Sequence, residues 1–123
     1  MDIIARMEAA RDRTLKYFDL TGDLLDRSYG PGKWTVRFIL HHLADGETVL
    51  YERICRVISE PRQVVWAFDQ AAWAKGLDYS QMPLDLSRRM FEAVRAGIIY
   101  HARIHYEKSG HLEFVITKPA CAR

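Results

Sequence analysis

The sequence has 123 residues, 49% of them hydrophobic and 28% charged. That is ordinary globular usage, too apolar for a disordered chain and of a size for one domain. Eighteen Lys and Arg against sixteen Asp and Glu give a formal charge of +2, too small and too evenly spread for a nucleic-acid surface.

The first segment, about residues 2–21, sets Ile4, Met7, Thr14, Leu15 and Phe18 on one face at helical spacing, with Gly22 placed to stop it. Its opening residues, Met1-Asp2-Ile3-Ile4-Ala5-Arg6, lack the apolar run of a signal peptide. Tyr29-Gly30-Pro31-Gly32-Lys33 is dense in turn formers and reads as a loop. Thr35 is a suitable N-cap for a second helix over about 36–58, in which Val36, Ile39, Leu40, Leu43, Leu50, Ile54 and Val57 keep a three-four pattern. From 60 to 83 the pattern is irregular and aromatic, with Trp66, Phe68, Trp73 and Tyr79. A connection of that composition packs over a core, with a short helix at 69–75. Pro83 and Asp85 announce a third long helix over about 85–108, with Leu86, Met90, Val94, Gly97, Ile98 and Ile104 inward and Gly110 closing it. The tail 111–123 has room only for a brief extended piece.

No apolar stretch approaches the ~20 residues of a membrane span. The two cysteines, Cys55 within a helical pattern and Cys121 near the end, form neither a disulfide framework nor a Cys-based zinc motif. A cytoplasmic protein without a membrane partner is expected.

The residues with chemistry to offer are mostly histidines. His101 and His105 fall within the inward arc of the third long helix, and an i, i+4 pair of imidazoles can bind one cation. His42, at the flank of the second helix's apolar stripe, is the natural third ligand, whereas His41 lies nearly opposite the stripe, facing solvent. The competing reading makes His101 and His105 hydrogen-bonded packing residues, because HxxxH without the glutamate of the zincin motif arises by chance. Glu47 sits at the centre of the stripe, where a bare carboxylate is costly. It would either orient a ligating histidine or act as a general base, or pair with Arg11 of the first helix. The arginines of the third long helix, Arg88, Arg89, Arg95 and Arg103, read as a solvated surface, and Cys55 as a small buried hydrophobe.

Lys33-Trp34-Thr35-Val36-Arg37-Phe38-Ile39-Leu40-His41-His42-Leu43-Ala44-Asp45-Gly46-Glu47, then Glu52-Arg53-Ile54 and Phe68-Asp69-Gln70-Ala71-Ala72-Trp73-Ala74, resemble the DinB-like superfamily over roughly residues 5–114. The resemblance implies an all-α, up-and-down DinB-like bundle, commonly dimeric, whose members often hold a divalent metal through three histidines. The one directly before Leu-Ala-Asp is His42 here. It also implies a metal-dependent hydrolase or a transferase using low-molecular-weight thiols, in which zinc or nickel would lower the pKa of water or a thiol. The family's other two histidines usually lie on the last helix, and this sequence reaches Arg123 where that helix would begin. Two readings follow. His101 and His105 substitute for those ligands, or the metal is lost and the chain is a non-catalytic homo-oligomer or binding module.

Three long helices with wide apolar stripes need a fourth wall. A two-fold homodimer through residues such as Ile4, Leu15, Phe18, Val94 and Ile98 would supply it. Otherwise the connection 60–83 must fold back in its place.

Overall fold

The computed structural model describes residues 2–62, 64–109 and 115–117. Asp2 caps α1 (Ile3–Phe18), its Oδ1 accepting the Ala5 amide at 2.7 Å. The helix ends short of Gly22, which instead takes a positive φ of 60° and opens a 3-10 turn, Gly22–Leu24. Thr35 caps α2 (Val36–Ser59) as its sequence position indicates, Oγ1 accepting the Phe38 amide at 3.2 Å. A three-residue strand β1 (Val64–Trp66) follows, then α3 (Gln70–Gly76), capped by Asp69. After Pro83 the chain enters α4 (Leu84–Ser109). The extended piece expected in the tail is β2 (Val115–Thr117), parallel to β1 with Val65 opposite Ile116. Gly110 and Cys121 lie outside the described residues.

Among the described residues the all-α bundle is thus three long helices and one short one, with α4 packed on both α1 and α2. α1 runs antiparallel to α4, since Asp19 meets Arg88 and Glu8 meets Arg103. α2 runs parallel to α4: His41 faces Ser87, Glu47 faces Arg95 and Tyr51 faces His101. A simple up-and-down order would have reversed α4. The crossover between Ser59 and Leu84 instead carries the chain back along α2 before α4 begins.

The core cluster joins Phe18, Leu25, Leu40, Ala44 and Phe91, with the Phe18 and Phe91 rings 6.0 Å apart. Phe18 and Ile98, expected at a dimer contact, are buried within the chain itself. They are therefore not free to meet a second copy. The connection does fold back, and its own Tyr79 is wholly buried against Phe38 and His41 of α2. No helix among the described residues is long and apolar enough to cross a membrane.

Candidate functional site

The N-terminal half of α2 carries the polar interior. A helix normally buries one face, but α2 is covered on two sides, by α4 and by the returning crossover, so neighbouring residues such as His41 and Leu40 are both buried. His41, expected in solvent, is 0% exposed. Its Nδ1 lies 2.6 Å from the Ser87 Oγ, and its ring centroid is 5.3 Å from that of Tyr79. Tyr79 donates its hydroxyl to Asp45 Oδ2 at 2.6 Å. Burial first, then the Asp45 hydrogen bond and charge, push the Tyr79 phenol well above its ordinary range.

His42 projects to the other side of this network, into an aromatic clamp. Its ring stands 5.4 Å from Trp34 and stacks on Phe68 at 5.7 Å, and Trp73 meets Phe68 edge-on at 4.6 Å. Its Nδ1 is buried without a hydrogen-bond partner among the described residues, as is Nε2 of His41. Both imidazoles are held below their usual pKa. Burial is the main cause for each, seconded at His41 by the Arg37 cation, while the Asp45 carboxylate pulls both the other way. A neutral imidazole is the form that ligates a metal.

Glu47 pairs with neither Arg11 nor a histidine. Arg95 takes its carboxylate bidentately, Nε to Oε2 at 2.8 Å and Nη2 to Oε1 at 2.6 Å, and donates Nη1 to the Met7 carbonyl at 3.1 Å. Arg11 instead bonds its neighbour Asp12. Arg95, read from the sequence as surface, is only 15% exposed in its side chain, because its long stem reaches inward from the flank of α4.

His101 and His105 do come together, ring centroids 6.2 Å apart, with Tyr51 Oη 3.3 Å from His101 Nε2. They border an apolar groove of about 240 Å³ with Ile3, Met7, Ile54 and Val57. His42 is not with them. Tyr51, which marks the level of His101, lies nine residues beyond His42 on α2, about 14 Å along the axis. Ligand nitrogens on one zinc each sit at ~2.1 Å from the metal. The expected His42–His101–His105 set therefore does not fit one ion, and among the described residues no group of three His, Cys, Asp or Glu is placed to hold one. Among the described residues the buried imidazole nitrogens left without a hydrogen-bond partner are Nδ1 of His42 and Nε2 of His41.

Sequence reasoning reached His42 and passed over Asp45, Tyr79 and Ser87. An acid three residues after His42 inside an apolar run was the available signal for Asp45; Ser87 had none, because its place opposite His41 depends on the direction of α4.

The family model of the DinB superfamily matches residues 6–103. A protein of Oceanobacillus iheyensis named "Putative metal-dependent hydrolase OB0782" is 40% identical over 76 residues, 62% of this chain and 44% of that protein. One of Bacillus cereus, "Putative metal-dependent hydrolase", is 33% identical over 109 residues, 85% of this chain and 62% of that protein. The chain thus spans less than two thirds of the length of either relative. The solved structure of YfiT from Bacillus subtilis, described as "a probable metal-dependent hydrolase with an unusual four-helix bundle topology", shares the fold. Its TM-score is 0.80 at 23% identity, over 90% of this chain and 64% of that one.

Proposed function

The chain belongs to the DinB superfamily, and on that premise we propose that His42 ligates a divalent metal, zinc or nickel, in a metal-dependent hydrolase or thiol-dependent transferase acting on a small molecule. The observation that carries this reading is the buried, partnerless Nδ1 of His42. An imidazole nitrogen left so in an apolar clamp costs stability unless a ligand satisfies it. Trp34 and Phe68 fix the ring, and burial keeps it neutral. The relatives named as metal-dependent hydrolases support the same class. When bound, such a cation acidifies a water or thiol. This chain's own contribution is to hold His42 and, through the Tyr79–Asp45 hydrogen bond, to brace the α2 turn that presents it. The remaining ligands would come from outside the described residues or from a second copy, and His101 and His105 take no part.

The lack of a three-ligand group among the described residues favours a second reading, a non-catalytic homo-oligomer or binding module. Self-association belongs to both. Leu43 and Leu50, seven residues apart on α2, are 36% and 40% exposed, a stripe suited to a second copy. Sedimentation equilibrium should then give a dimer at micromolar concentration.

Elemental analysis of protein purified without chelators separates the two readings. Stoichiometric zinc or nickel in the native chain, lost in His42→Ala with helicity intact and kept in the double variant His101→Ala with His105→Ala, supports the metal reading. A metal-free native chain supports the other, and metal lost only in the double variant overturns the assignment of His42.

A further inference from the structure

Phe68, which stacks on His42, also lines a cleft of about 370 Å³ between α2, β1 and α3. That volume is in the range of small-molecule sites. Its walls include Trp66, Phe68 and Trp73 with Glu52, Arg53 and Arg56. Trp66 is 80% exposed, far more than a tryptophan usually is. Its neighbour Val65, in strand alternation, is buried, so β1 holds the indole at the cleft rather than leaving it on a loose loop.

The two guanidinium groups are not equivalent. Arg56 is bracketed by Glu52 and Glu60, four residues to either side. Arg53 forms no ion pair among the described residues. Its Nη2 donates to the Trp66 carbonyl at 2.8 Å, which fixes the guanidinium beside the indole and leaves its other N–H groups for a ligand. Aromatic walls alone would equally suit an organic cation, but an unneutralised guanidinium at the wall repels one and matches a carboxylate with its planar fork.

We propose that this cleft binds a small organic anion with a planar aromatic body, the ring against Trp66 and Trp73 and the carboxylate on Arg53. The site stands on these residues and needs no metal on His42. Of the charged groups that line the cleft, Arg53 and Arg56 against Glu52 leave one positive charge, so direct contact at Arg53 outweighs long-range attraction, and affinity should fall only modestly with salt.

The test is NMR titration of the folded chain with 2-naphthoate, following the indole N–H signals of Trp66 and Trp73, with 2-naphthylmethanol and 2-naphthylmethylammonium as probes of the same ring. Saturable shifts of these two signals at sub-millimolar 2-naphthoate are expected. Arg53→Gln, at the protein surface, should weaken binding at least tenfold, as should Trp66→Ala, while Arg11→Met, on the surface of α1 and away from the cleft, leaves it unchanged. Equal binding of the alcohol or the ammonium probe, an unchanged dissociation constant in Arg53→Gln, or no shifts at millimolar 2-naphthoate would overturn the proposal. Metal content, measured separately, decides the reading of His42, so each can fail without the other.

Discussion

Replacing Arg95 by Met is the most informative single perturbation of this fold. Glu47 is 8% exposed in its side chain, and Arg95 is the cation that satisfies both its oxygens. Removing one partner of a buried pair strands the other charge, at a cost of about 3–5 kcal/mol. The Met7 carbonyl also loses a donor, and with it one tie between α1 and α4. For a domain of this size each kcal/mol moves the midpoint by about 4 °C, so Arg95→Met should lower Tm by roughly 10–20 °C. The double variant Arg95→Met with Glu47→Leu removes both charges and should recover most of the loss, since apolar replacement of a whole buried pair is often neutral. Arg11→Met, which disturbs only the pair with Asp12 on the surface of α1, should cost about 0.5 kcal/mol or less. Urea denaturation of the native chain, Arg95→Met, Glu47→Leu and the double variant measures the cycle, with Arg11→Met as the surface control. A loss under 1 kcal/mol in Arg95→Met, or additive losses in the double variant, would show that the pair does not act as a buried unit.

Tyr79→Phe should destabilise by about 1–3 kcal/mol, because Asp45 then keeps a buried oxygen without its donor; chemical denaturation reads this, and a neutral result would mean water replaces the hydroxyl. Stability should fall with acid. His41 and His42 have pKa values below the unfolded reference of 6.5, so the unfolded chain binds more protons, and the stability they contribute is full above that reference and lost as pH drops through the folded values. Urea midpoints from pH 7.5 to 5 check the sign, and a midpoint that rises on acidification contradicts it. Gly46→Ala should stabilise by about 0.5–1 kcal/mol, since an added Cβ in mid-helix would meet nothing nearer than Phe68 at 3.9 Å; a drop in thermal midpoint would show that the Phe68 ring cannot accept the methyl.

The helices were legible because their signals are local. Thr35 before a three-four apolar run marks the start of α2, and the Asp69 cap marks α3 one residue from its expected place. The partners across helices were not, because they depend on chain direction. A helical wheel puts His41 opposite the stripe of α2 and Arg95 on the flank of α4. Neither position tells that Tyr79 and Trp34 build a second wall, or that a long arginine stem turns inward to Glu47. His101 and His105 share a helix turn and so share a groove, whereas their distance from His42 follows from the register of two parallel helices. The same limit hid the cleft at Arg53, whose walls come from α2, β1 and α3.

Because α2 is separated from its parallel neighbour by a crossover and α1 touches chiefly α4, the chain's first helix closes its contacts last. Asp19 reaches its partner Arg88 across 69 residues, and Glu8 reaches Arg103 across 95. A hairpin of successive antiparallel helices would pair α1 with the element that follows it, and its loop closures would be short and fast. Here α1 leaves the ribosome well before α4, the helix it chiefly packs against, exists to receive it. At about 5–20 residues per second, the chain from Phe18 to Arg103 takes roughly 4–17 s to emerge. Over that interval the part of α1 that α4 covers, including the Phe18 face that meets Phe91, is open to chaperones and to other nascent chains. In the finished protein α1 rests chiefly on one neighbour, α4, whereas α2 and α4 pack extensively on each other, so amide exchange along Ile3–Phe18 should be the fastest of the long helices.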